Sequence, residues 1–137
     1  EMTVCRFKVL NKNKFFFGKF AEEKFNLQNY LSRNPGVICS NVTIKKRLFI
    51  EVGGYDETLI ESADRDLFIR INQLDKKISF IKFSLVSWRL HNQIVPNKNK
   101  RFIISNFIFL KKHRKQISFL ASIVIVIKLF KRMVFNG

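Results

Sequence analysis

Two aspartates and an arginine form the pattern in this sequence best suited to chemistry. Asp64 and Asp66 are separated by one residue, and Arg70 follows Asp66 by four, in the stretch ESADRDLFIRI. Leu67, Ile71 and Leu74 recur in the same stretch at i, i+4 and i+7. That spacing predicts a helix over 64–74 with Asp66 and Arg70 one turn apart on a second face. A carboxylate at a helix start is held in its charged form by free backbone N–H groups and the helix dipole, so Asp64 stays available as a base or cation partner near neutral pH. The plainer reading of the same residues is helix capping and solvated charge.

Other candidates flank this helix. Gly53-Gly54-Tyr55-Asp56-Glu57 reads as a sharp turn, because glycine accepts left-handed backbone angles without a Cβ clash. In SWRLHN, Arg89 could neutralise a phosphate, and a neutral His91 imidazole suits a divalent metal. The alternative for His91 is a solvated loop residue. Trp88 reads as core, with stacking on a ligand as its alternative. Cys5 and Cys39 lie far apart, outside any CxxC spacing and in apolar runs, which predicts two small buried hydrophobes and no structural zinc.

The elements that must position these residues follow from pattern. Residues 3–10 alternate as a half-buried strand, and NKNK over 11–14 is a turn. Residues 15–25 mix aromatic and charged side chains without a period and are left open. A short helix over 25–32 stops at Asn34-Pro35-Gly36, and the β-branched run VICSNVTIKK predicts a strand over 37–46. A short helix over 47–52 ends at the glycine pair. Residues 78–90 give two short strand patterns, and after Pro96 the composition shifts to a second unit.

The order of four pieces over about 35–92 resembles the second half of family 2 glycosyltransferases: a strand ending in basic residues, a GG(Y/F)DE turn (here GGYDE), an acidic EDxDLxxR-type helix start (ADRDLFIR), and a strand ending in aromatic-Arg-x-His (WRLH). The resemblance implies an α/β fold, the carboxyl-terminal part of a GT-A mixed sheet flanked by helices. Residues 1–95 would be its acceptor and base half, and 96–137 a basic amphipathic helical tail. It implies transfer of a sugar from a nucleotide-sugar donor to a glycan or glycolipid acceptor in surface polysaccharide synthesis, with inversion. Asp64 would be the base that takes the acceptor hydroxyl proton. Gly53, Gly54, Tyr55 and Asp56 would line the acceptor side, with a purely structural turn as the alternative. Asp66, paired with Arg70, would orient the site, Arg89 would face phosphate, and His91 would approach the metal or the diphosphate. A divalent cation (Mg or Mn) is implied, its main ligands outside this chain. Asp64-Arg65-Asp66 has the DxD spacing of the family's cation motif, but that motif ends a buried apolar strand; here ETLIESA precedes it and a helix follows, so the metal reading is rejected. The residue before Asp64, usually Glu in the family, is Ala63, with Glu61 three residues before Asp64. The donor half is expected upstream of Glu1, so activity is expected only within a longer protein or with a partner chain.

Charge and hydropathy speak to location. Hydrophobic residues make up 47% of the chain, including 16 phenylalanines, which excludes a disordered solvating chain. Of the net charge of +16, the stretch 96–137 supplies ten lysines and arginines and no acid. Seven of the ten acidic residues fall within 51–75, a segment a polyanion would repel, so no nucleic-acid partner is expected. A nucleic-acid-binding module and an inactive membrane-associated remnant are the alternatives to an enzyme. The apolar runs 102–110 and 117–130 are shorter than the roughly 20 residues that span a bilayer. Flanked by KKHRKQ and KRMVF, they are expected to lie on an anionic membrane surface through 98–135, peripheral on the cytoplasmic face. Packing of their apolar faces onto the rest of the chain is the alternative, and the two are compatible.

Overall fold

The computed structural model describes residues 1–12, 14–20, 25–90 and 98–135. The central strand is β1 (Met2–Asn11), whose alternation turns Met2, Val4, Phe7 and Val9 inward. A left-handed Lys12 begins the turn into β2 (Lys14–Phe17), which pairs antiparallel with β1 from Lys8↔Phe17 to Asn11↔Lys14. Further along the chain, β3 (Val42–Ile44) pairs antiparallel with Met2–Val4, so β2 and β3 share one edge of β1. The other edge takes β4 (Ile78–Arg89) in parallel. A parallel pair needs a crossover, and its described residues here carry three helices: α1 (Leu27–Ser32), α2 (Lys46–Glu51) and α3 (Ala63–Gln73). The result is a small mixed sheet with helices, an α/β arrangement consistent with a GT-A-like domain.

Three expectations change. The strand expected over 37–46 shrinks to β3, because Asn41 turns inward. Its amide donates to the carbonyls of Cys5 at 2.7 Å and Gly36 at 2.9 Å, and its Oδ1 accepts from Ile38 N, winding 39–41 into a 3₁₀ turn. Residues 78–89 form one strand rather than two. At Cys5/Arg6 and Arg6/Phe7 the register breaks, and β4 bulges against β1. Cys5 is buried, but Cys39 lies exposed in the 3₁₀ turn.

Helix α3 is the hub. Leu67 and Ile71 point inward as the spacing requires, and Phe68 and Ile69 are buried as well, so the helix is enclosed on most of its circumference. Leu74 falls just past its end and is exposed. Phe68 stacks on Tyr30 of α1 at 4.7 Å and meets Phe80 of β4 edge-on at 6.5 Å. Truncating such a ring typically costs about 3–5 kcal/mol.

The tail forms α4 (Lys98–His113) and α5 (Phe119–Phe135). Phe109 of α4 is fully buried in the same core as Phe68, and Ala121 and Ile125 of α5 are buried too. Phe119, Leu120, Ile127 and Phe130 stay exposed on the opposite side of α5. Among the described residues, no helix is long and apolar enough to cross a membrane.

Candidate functional site

The amino-terminal turn of α3 gathers most of the charge predicted to act. Asp66 has no exposed surface, and a carboxylate so placed requires full pairing. It accepts from Arg70 Nε at 2.8 Å, His113 Nε2 at 2.9 Å and Lys112 Nζ at 3.0 Å. Burial would raise its pKa, but the bonds from His113, Lys112 and Arg70 together hold it below the ordinary value. Since the ionised carboxylate only accepts, His113 must carry its proton on Nε2.

Arg70 is shared. Its Nη2 donates to the Gly54 carbonyl at 2.6 Å, and its Nη1 donates to the Val52 carbonyl. Gly53 and Gly54 both adopt positive φ, +79° and +66°, so the glycine turn has the left-handed backbone its sequence implied. The turn is thereby fastened to α3 through one guanidinium. Asp56, in the same turn, accepts from Lys112 Nζ at 2.7 Å and from the Thr58 hydroxyl at 2.6 Å, bonds that bring its carboxyl down to about 2. Lys112 therefore bridges Asp56 and Asp66.

Asp64 differs from Asp66. Partly buried in the first turn of α3, it accepts from the Arg65 backbone N–H at 2.7 Å. Burial nevertheless pushes its pKa above the ordinary value. Desolvation outweighs the N–H groups expected to hold it charged, which leaves Asp64 the stronger base of the two. Tyr55 stands close enough to feel its charge. Partial burial raises the phenol to about 12, with Cys39 and then Asp64 acting in the same direction. The Tyr55 ring also packs edge-on against Phe49 at 5.4 Å. Asp64, Tyr55 and Cys39 thus share one neighbourhood, beside a turn that Asp66 and Arg70 hold in place.

Two predicted residues stand apart. Arg89 ends β4, exposed and in register with Leu10, about 20 Å along β1 from the Val4–Phe80 pair. It joins none of the described contacts of Asp64 or Asp66. His91 lies outside the described residues. Trp88, read as core, is about half exposed and touches Phe7 edge-on at 6.2 Å. Among the described residues, no trio of His, Cys, Asp and Glu could hold a metal, and Asp66 already accepts from Arg70, Lys112 and His113. This cluster therefore offers a divalent cation no ligand set, and the ligands that the resemblance implies, His91 and others outside this chain, lie outside the described residues. Sequence reasoning missed Lys112 and His113, which it took for part of a membrane-facing basic cluster. Their partner Asp66 is 46 and 47 residues away, and the one local signal is a histidine within a lysine-rich helix end.

No curated protein and no solved structure gives a significant match to the chain. One protein-family model does match, and it spans residues 6–131, covering the glycine turn, α3, β4, α4 and most of α5. On that match, the chain belongs to glycosyltransferase like family 2.

Proposed function

We propose that this chain serves inverting transfer of a sugar from a nucleotide-sugar donor to a glycan or glycolipid acceptor in surface polysaccharide synthesis, with Asp64 as the base. The observation that carries the reading is Asp64 itself, a carboxylate at a helix start whose basicity is strengthened by burial. As the acceptor hydroxyl attacks the anomeric carbon, its proton passes to the Asp64 carboxylate while the donor's diphosphate departs. Tyr55 and the backbone of Gly53 and Gly54 border the acceptor. Asp66 and Arg70 act as positioning residues by fixing the turn against α3. Donor diphosphate and cation are held outside the described residues.

Attachment to an anionic membrane surface belongs to the same reading. Helix α5 turns Ala121 and Ile125 inward and leaves Leu120, Val124, Ile127 and Phe130 outward, the reverse of a helix whose outer face is solvated. Lys131 on that outer side, and Lys111, Arg114 and Lys115 at the end of α4, would meet lipid headgroups on the cytoplasmic face.

The test is transfer from radiolabelled nucleotide sugars to a membrane extract by this chain joined to its donor half, in a longer protein or with a partner chain, compared with the same protein carrying Asp64→Asn. Loss of about two to four orders of magnitude in turnover, with the fold intact by circular dichroism, is expected of a general base. Equal turnover in the variant would remove Asp64 from the mechanism. Absence of transfer with every donor tried would count against the activity.

A further inference from the structure

A second charged cluster lies on another side of α3, where α1, α4 and α5 enclose a cavity of about 240 Å³. Arg65 is in its wall. It is only 6% exposed, its guanidinium stacks over the Phe109 ring at 3.8 Å, and Nη2 donates to the Ser62 hydroxyl at 3.3 Å. Its Nε is buried without a partner. Three more cations line the opening: Lys19, Arg33 and Lys128. Lys128 Nζ donates to the Ser32 carbonyl at 2.8 Å, and Arg33 donates to Asn29 Oδ1 at 3.2 Å, so both head groups are tethered by neutral acceptors. Glu61 is the one acid among the described lining residues.

Four cations from four parts of the chain therefore converge against a single carboxylate among the described lining residues. Asp64 and Asp66 offset part of the charge on Arg65 along the helix. Lys128 shows the residual repulsion: burial lowers its pKa first, and then Arg65, Lys19 and Arg33 lower it further. Like charges gathered at a partly desolvated place are costly unless an anion joins them, and guanidinium and ammonium groups together suit the oxygens of a phosphate. Lys19 and Arg33 continue into an adjoining depression of about 260 Å³ beside Phe20 and Pro35, which leaves room for whatever the phosphate is attached to.

We propose that this cavity binds a phosphate group, as a monoester or a diphosphate, between Arg65 in its wall and Lys19, Arg33 and Lys128 at its mouth. The phosphate can belong to a lipid headgroup or to a free ligand; the recognition chemistry is the same. The site stands whether or not the chain transfers sugar, because binding is measured without turnover.

Calorimetric titration with sodium pyrophosphate tests it, alongside flotation with phosphatidylcholine vesicles made with and without phosphatidic acid. The variant is Arg33→Gln with Lys128→Gln. The control is Lys45→Gln with Lys46→Gln, which removes equal charge at the start of α2. The cavity variant is expected to lose about tenfold in affinity for the phosphate probe, and the control to lose little. A parallel loss on phosphatidic acid vesicles assigns the site to a lipid phosphate; loss confined to pyrophosphate assigns it to a free ligand. Equal losses in cavity variant and control would reduce the effect to general electrostatics and overturn the site. So would wild-type protein that binds no pyrophosphate and floats with phosphatidic acid vesicles no better than the cavity variant. If the double variant unfolds, Lys19→Gln at its exposed position must still weaken binding of the phosphate probe measurably, and an unchanged affinity overturns the site.

Discussion

Arg70 and Asp66 meet at 2.8 Å across one turn of α3, and the same guanidinium holds the carbonyls of Val52 and Gly54. One ion pair thus joins the glycine turn to the helix that carries Asp64. Because Asp66 is fully buried and serves three donors, Asp66→Ala would leave Arg70 Nε and His113 Nε2 without this acceptor and Lys112 with Asp56 alone. The expected cost is about 3–5 kcal/mol in urea denaturation, the range for breaking a buried pair by removing one partner. Arg70→Lys keeps the charge but loses the fork that reaches two carbonyls at once. It should destabilise by a smaller amount while lowering transfer, since the turn is released. An Asp66→Ala protein as stable as wild type would show that the cluster does not hold the turn.

The two glycines of the turn should differ in their response to alanine. Both need left-handed backbone, which costs a residue with a Cβ about 1–2 kcal/mol. At Gly53 an added Cβ meets nothing within 4 Å, so Gly53→Ala should cost only that strain. At Gly54 it would sit 3.3 Å from the Phe49 ring, which already packs on Tyr55. Gly54→Ala should therefore cost more and displace Tyr55. Thermal denaturation of the two variants checks the order, and equal midpoints would mean the Phe49 ring moves aside freely.

Burial that raises the Asp64 pKa has a consequence for stability with a definite sign. Between the ordinary carboxylate value and its raised folded value, the native protein binds more protons at this site than the unfolded chain, so stability falls as pH rises through that window. At neutral pH the charge is a standing cost. Asp64→Asn keeps an oxygen to accept the Arg65 N–H and removes the charge, so it should melt at a higher temperature than wild type at pH 7. That gain should vanish as pH falls below the ordinary value of 3.8, where Asp64 is neutral in both states. Transfer should show the matching profile, rising with pH through a midpoint above the usual carboxylate range. A variant that melts lower than wild type at pH 7 would contradict the burial argument.

What could be read in advance divides along physical lines. The strand β1 and the helix α3 carry periods of two and near 3.6 that survive tertiary packing, so both were visible, as was the left-handed turn at Gly53 and Gly54. The strand β2 was not, because all four of its residues are exposed and its phenylalanines follow no inward face. The strand expected over 37–46 gave way where the Asn41 side chain took over backbone bonding, a choice that depends on Cys5 lying alongside. At the site, Asp66 and Arg70 are local partners and could be paired by spacing. Lys112 and His113 arrive from a helix whose docking depends on Phe109 entering the core, which no local pattern encodes.

The two sides of α5 allow stability and membrane attachment to be separated. Ile125 is buried, so Ile125→Ala should cost about 2–5 kcal/mol by the usual price of an emptied core position. Phe130 is exposed, and Phe130→Ser should leave the melting temperature nearly unchanged. If the outer face rests on lipid, Phe130→Ser with Ile127→Ser should weaken flotation with anionic vesicles through the lost apolar burial. Raised salt should weaken the wild type further by screening its basic residues. Vesicle binding that resists both the paired serines and salt would rule out this face as the contact. Binding that falls with salt alone would move the contact to the lysines and arginines at the end of α4.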